Sequence, residues 1–314
     1  MTSQSNTATL IGVPLDLGAE NLGVDIGPQA FRYQGLIKKL ESAGLEVTDA
    51  GNVKCNDRKD LNPGNPRLHH LEEIVRVNEE LAGLTEQAVR DGRKAIVIGG
   101  DHSINLGAVS GASTAVDKQL GLIYFDAHGD MNTDETTMTG NIHGMHLAAL
   151  MGFGAKELVN VHGEGTKLAK ENLLHIGGSD FDQAELDLVK RENLDAFMSL
   201  DLLKFGLAPL LEKIEALGKR LPNIWISLDL DAIDSMYAPG AGMPNAKGLT
   251  YREIAAIAEY IGQTCNVIGV DVVEYNPLQD EQGKTAELGT ELIAKFFGKN
   301  YSWYSNYLER NPIA

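Results

Sequence analysis

The run Asp126-Ala127-His128-Gly129-Asp130 places three metal-competent side chains at alternate positions. On an extended backbone alternate side chains point the same way, so two carboxylates and an imidazole would converge on one small volume. Polar groups crowded at the end of a buried strand are costly unless a cation neutralises them. Further along, Ser227-Leu228-Asp229-Leu230-Asp231 repeats the spacing, and Gly99-Gly100-Asp101-His102-Ser103 contributes His102. The candidate ligands are therefore His102, Asp126, His128, Asp130, Asp229 and Asp231. Four carboxylates and two imidazoles without a thiolate suit manganese better than a sulfur-seeking zinc or copper. Six protein groups suit two ions that share bridging carboxylates, and such pairs generate hydroxide from water near neutral pH. A single Asp at a strand end is more often a helix cap or turn residue. The metal reading rests on all six falling at strand ends together.

The elements that must position these residues are short apolar runs. Thr9–Val13, Ala95–Ile98, Gly121–Phe125, Leu173–Ile176, Ile224–Leu228 and Val267–Val273 read as strands. Most are apolar continuously, the pattern of strands buried on both faces. Between them lie helical periodicities: Leu71, Ile74, Val75, Val77 and Leu81 on one face, then Ile254, Ala255, Ile257, Ala258 and Ile261. A helix is also predicted from Pro28 to Leu40, with Pro28 in its first turn. Strand and helix in alternation give an α/β fold, a three-layer αβα arrangement with a mostly parallel central sheet. Asn62-Pro63-Gly64-Asn65-Pro66 reads as a loop, not a boundary, so residues 1–314 are taken as one domain. In such sheets functional groups collect past the carboxyl ends of the strands. His102, the Asp126 run, Asp180 with Asp182, Asp229 with Asp231, and Glu274 all follow strands in this way.

Composition narrows the partners. The 314 residues carry a net charge of −17 and are 43% hydrophobic but only 6% aromatic. That charge disfavours nucleic acid and anionic membranes and is compatible with a cationic substrate. The two cysteines, Cys55 and Cys265, lie far apart without metal-knuckle spacing, so reduced thiols are expected. The polar start Met1–Asn6 lacks the apolar core of a signal peptide, and no apolar run reaches the ~18 residues of a membrane span. A cytoplasmic location is the expectation.

The segments Gly99–Ser103, Asp126–Asn132, Gly140-Asn141-Ile142-His143-Gly144 and Ser227–Asp231 resemble, in order and spacing, the signatures of the arginase/agmatinase (ureohydrolase) family. Gly23–Pro28 and Asp271–Pro277 fit as well, and the match runs from about residue 9 to about residue 298. The resemblance implies two Mn²⁺ ions held by His102, Asp126, His128, Asp130, Asp229 and Asp231, with Asp130 also bonded to a metal-bridging hydroxide. It implies that Glu274 receives the substrate guanidinium and that His143 shuttles protons to solvent. Asn132, Thr139 and Asn141 match segments that grip the amino-acid end of arginine, Asp182 the carboxylate for its α-ammonium, and His128 borders the substrate. The implied reaction is hydrolysis of L-arginine to L-ornithine and urea by a homo-oligomer, a trimer or hexamer. His143, titrating near neutrality, suits a proton relay. His146 is taken as a surface residue on the same helix as His143, since its family position carries no site residue.

Two departures from the pattern matter, at Met243 and Ser179. The family reads Gly-Thr-Gly-Thr-Pro or a close variant where this chain has Gly240-Ala241-Gly242-Met243-Pro244, and a thioether cannot donate the hydrogen bond of a threonine. Ser179 stands where an arginine is usual, and Thr139 replaces a commoner serine. These departures keep open agmatine, guanidino acids or formiminoglutamate as substrates, and a metal-binding relative without turnover.

Overall fold

The computed structural model describes residues 5–299. The outer ends of the span 1–314, including the first four residues of the polar start, lie outside the described residues. Ten strands are formed: β1 Thr7–Val13, β2 Glu46–Asn52, β3 Gly64–Asn65, β4 Leu68–His69, β5 Lys94–Gly99, β6 Leu120–Phe125, β7 Leu173–Ile176, β8 Asp195–Phe197, β9 Asn223–Asp229 and β10 Val267–Val273. Eight of them make one sheet in the order β2-β1-β5-β10-β9-β6-β7-β8, and every pairing within it is parallel. β3 and β4 form a small antiparallel ribbon, so the Pro/Gly-rich stretch read as a loop contains part of a hairpin.

The six apolar runs are all strands. The two edge strands, β2 and β8, carry no such run: β2 is polar and almost entirely exposed, and β8 has three residues. The helix predicted over residues 28–40 is two helices, Gly27–Tyr33 and Leu36–Ser42. Gly35 separates them at φ 82°, a left-handed conformation that ends a helix. Helix Leu71–Arg90 buries Ile74, Val77 and Leu81, with Leu71 and Val75 at its margin. Helix Tyr251–Thr264 buries Ile254, Ile257, Ala258 and Ile261 beneath a Thr250/Glu253 capping box.

Alternation along the strands divides the core into two layers. Ile98, Phe125, Leu228 and Val272 pack on one face, and Val97, Leu122, Tyr124 and Trp225 on the other. Register then sets the site. Ile98, Val272, Leu228 and Phe125 are level across β5, β10, β9 and β6. The residues that follow leave four adjacent central strands at one height, which brings their side chains to one rim.

Candidate metal centre

Apart from Asp229, the last residue of β9, the ligand-bearing segments are turns rather than extended chain. β6 ends at Phe125, Asp130 has φ 51°, and Leu230–Ala232 is a 3₁₀ turn. Strand alternation therefore does not aim these side chains. The aim comes from carboxylates that fold their own turns. Asp126 Oδ1 accepts from His128 N at 2.7 Å, Asp229 Oδ1 from Asp231 N at 2.8 Å, and Asp231 Oδ1 from Ala127 N at 3.1 Å. Each spends one oxygen on a backbone N–H, and each Oδ2 faces the site.

The Oδ2 atoms of Asp126, Asp130 and Asp229 lie 2.9, 3.2 and 3.2 Å from His102 Nδ1. His128 Nδ1 lies 3.4 Å from Asp126 Oδ1 and 3.0 Å from Asp231 Oδ2. Two groups of donors result, His102/Asp126/Asp229 and Asp126/His128/Asp231, which share Asp126. The four carboxylates are buried, as is His102. Burial together with the charges of Asp231 and Asp126 pushes Asp229 well up, and burial with Asp126 holds Asp231 at about 6. Burial also disfavours an ionised Asp126, yet His102 and His128 hold it well down. Conversely, burial works against charge on the two imidazoles, but the surrounding aspartates raise both. So many buried acidic oxygens around two imidazoles are a cation site in chemical terms.

The tautomer of His102 agrees. Ser227 Oγ gives its hydrogen to Asp271 Oδ1 at 2.7 Å and so accepts from His102 Nε2 at 2.9 Å. With Nε2 engaged in this way, Nδ1 faces the three Oδ2 atoms and would turn its lone pair to an ion seated there, the usual orientation of a metal-bound imidazole. Asp271 is itself buried. Burial raises its carboxyl, while Trp225 Nε1 at 2.5 Å, Ser227, and Asn105 Nδ2 at 3.0 Å donate to it.

His175, Tyr124, Ser227 and Asp271 are direct neighbours across β7, β6, β9 and β10. They form a buried polar row beneath the ligands. Two of its members, His175 and Tyr124, escape a reading of the motifs, although Tyr124 lies two residues before Asp126, as Ser227 lies two before Asp229. His146 is a further correction. It begins helix His146–Leu150, while His143 sits in the separate turn Ile142–Gly144. Far from lying at the surface, it is fully buried. It faces Asp130 Oδ2 at 3.8 Å and groups with His102 and Asp130 as a third donor set. Burial lowers it to about 3.

Glu274 is buried at φ 60° on the same rim. A left-handed non-glycine residue costs about 1–3 kcal/mol, and such strain collects at functional sites; Asp130 shares it. Glu274 Oε1 accepts from His102 N at 3.0 Å and lies 3.4 Å from His143 Nδ1. Gly242 borders it so closely that a Cβ there would stand 2.4 Å from Glu274 Oε2. Met243, the next residue, is 38% exposed. His143 departs from neutrality. Burial disfavours its charge, but Glu274, with Asp130 and Asp101, outweighs that and raises it to about 9. Positive charge seated among the aspartates would lower it again.

The other predicted residues lie along the loop after Asp130. Asn132 Nδ2 donates to Asp182 Oδ2 at 2.7 Å. Asp182 also caps helix Gln183–Glu192 in a box with Glu185. Thr139 Oγ1 accepts from Asn141 N at 3.2 Å, and Asn141 Oδ1 lies 3.4 Å from His69 Nδ1. Asp180 is exposed. Glu185 does more than cap: it is buried behind Gly129, accepts from Met131 N at 3.2 Å, and is raised to about 7 by burial and by Asp130. Ser179 N and Asp180 N both donate to Ala127 O, and Ser179 Oγ accepts from Asn245 Nδ2 at 3.0 Å. Ser179 thus ties the Asp126 loop to the loop of Met243.

A parallel three-layer sheet with a buried His/Asp cluster on its central strand ends defines a metal-binding α/β protein. Comparison with known proteins makes the class specific. The arginase family model matches residues 6–298. The chain is 38% identical to the arginase of Bacillus caldovelox over 293 residues, 93% of this chain and 98% of that one. The native structure of that arginase superposes with a TM-score of 0.90 at 37% identity, covering 94% of this chain and 99% of that one. The arginase of Bacillus cereus gives 0.88 at 36% identity, covering 94% and 100%. The chain belongs to the arginase family.

Proposed function

We propose that this protein hydrolyses the guanidinium of L-arginine to L-ornithine and urea with two Mn²⁺ ions. The observation that carries the reading is the convergence of the three Oδ2 atoms on the lone-pair face of His102, beside the second group on His128. His102, Asp126, Asp130 and Asp229 would hold one ion, and Asp126, His128 and Asp231 the other. When bound, the ions would supply a hydroxide near neutral pH from a shared water.

The chain's own residues do the rest. A guanidinium is always charged and its carbon is a poor electrophile, so its placement matters. Glu274 accepts two of its N–H groups, with Oε2 facing the Gly242–Met243 loop and Oε1 held by His102 N. Asp130 accepts a hydrogen bond from the attacking oxygen. His143 Nδ1, beside Glu274 Oε1, holds a proton for the leaving amine. His128 borders the substrate, while Asn132, Thr139 and Asn141 take the α-carboxylate end and Asp182 the α-ammonium. The mutual bond of Asn132 and Asp182 favours a substrate with both groups.

The same reading gives a cytoplasmic homo-oligomer, a trimer or hexamer, occupying residues 1–314 as one domain. Cys55 and Cys265 are not joined in a disulfide, which fits the first part, and no described helix is long and apolar enough to cross a membrane. Removal of metal is the test. Chelated protein should release no urea from L-arginine, and added Mn²⁺ should restore it. Urea release that survives complete chelation would contradict the proposal.

A further inference from the structure

The Tyr124 hydroxyl lies among the ligands themselves. Its Oη is 2.7 Å from Asp130 Oδ2, 3.0 Å from Asp126 Oδ2, 3.2 Å from His102 Nδ1 and 3.1 Å from His146 Nε2. The first three are the atoms that converge to form the deeper of the two ion positions. The ring cannot swing away, being fully buried and stacked on His102 at 4.9 Å with the planes 1° apart.

One hydroxyl has one hydrogen, yet three acceptors, Asp130 Oδ2, Asp126 Oδ2 and His146 Nε2, surround it, with His102 Nδ1 beside them. His146 Nδ1 donates to His143 O at 2.6 Å, because a carbonyl can only accept. Its Nε2 therefore presents a lone pair to Tyr124. If the hydrogen goes to Asp130, then Asp126 Oδ2 and His146 Nε2 both meet the phenol oxygen lone pair to lone pair. If it goes to His146, the three remaining contacts are to ion ligands alone. A cation placed between Oη and those three converts each repulsion into a shared ligand edge. The spacing fits this arrangement: neighbouring ligands around a hard divalent ion with bonds of about 2.1 Å stand about 3 Å apart.

We propose that Tyr124 Oη is a further ligand of the ion held by His102, Asp126, Asp130 and Asp229. His146 is its positioning residue, accepting the phenolic hydrogen at Nε2 so that the oxygen lone pairs face the ion. This rests on the two-ion reading above. It adds an oxygen ligand supplied from the strand beneath the site rather than from the rim.

A crystal structure of the Mn²⁺-loaded protein, with Mn²⁺ titration calorimetry of the wild type and variants, tests it. Oη should lie within bonding distance of one ion. Tyr124→Phe, which keeps the ring, should weaken one of the two Mn²⁺ affinities about ten- to a hundredfold and leave the other unchanged. His146→Phe should reproduce that loss, and His146→Gln, whose amide oxygen can accept the same hydrogen, should recover part of it. Two bound Mn²⁺ with Oη outside bonding distance overturns the role of Tyr124 and leaves the two-ion site standing; so do two unaltered affinities in Tyr124→Phe. Full affinity in His146→Phe overturns the part assigned to His146. A wild-type chain that binds fewer than two Mn²⁺ overturns the two-ion reading itself. The wild-type structure decides the question even if a variant fails to fold.

Discussion

The rim of the sheet has two halves built on different principles. The metal half is buried, and its aspartates divide their oxygens between the backbone and the site. It rests on a second polar layer, Tyr124, Ser227 and Asp271, that lies within the sheet. The substrate half is exposed or half-buried. Asn132, Thr139, Asn141 and Asp182 stand on loops and bond mainly to one another or to nearby backbone. A buried ligand cannot be removed without leaving uncompensated charge, whereas a loop side chain can change at small cost. On the proposed function, the chemistry would be fixed in the interior and the choice of substrate left to the loops. Met243 and Ser179, the two departures from the family pattern, both lie in the second half.

The largest effect should come from the buried half. Asp229→Ala removes an oxygen from His102 and breaks the turn that aims Asp231. Metal analysis should find one Mn²⁺ lost per chain. Urea release should fall by about 10²–10³, the scale seen when one group aimed at developing charge is removed. Full activity in this variant would dissolve the contrast between the halves. A smaller effect should come from the loop. Met243→Thr restores a hydroxyl next to the glycine that borders Glu274. A hydrogen bond to a charged group is worth about 1.5–3 kcal/mol when shielded from water, and exposure at 243 puts the gain below that range. kcat/KM for L-arginine should rise by about three- to tenfold. No change would mean that Met243 does not weaken the guanidinium end.

Legibility in the sequence followed the same division by depth. Apolar runs made six strands readable, and the edges β2 and β8 were not, because a strand with little buried area need not be apolar. The ligand types and spacing pointed to six side chains that the structure brings together, although what gathers them includes carboxylate-folded turns, which period-two reasoning does not anticipate. The row His175–Tyr124–Ser227–Asp271 could not be seen from any one segment, since it exists only once β7, β6, β9 and β10 are paired. His146 was misplaced for another reason. Its family position carries no site residue and so reads as surface, whereas its ring lies buried beside His102 and Tyr124. The conformations of Asp130 and Glu274 carry no sequence signal, because neither residue is a glycine.

The central claim is that interior metal chemistry serves a substrate with an amino-acid end. The most direct measurement compares kcat/KM for L-arginine and for agmatine, which lacks the α-carboxylate, in the Mn²⁺-loaded protein. A strong preference for L-arginine, with urea and L-ornithine formed in equal amounts, is the predicted result. A preference for agmatine, or no urea from either, would contradict it.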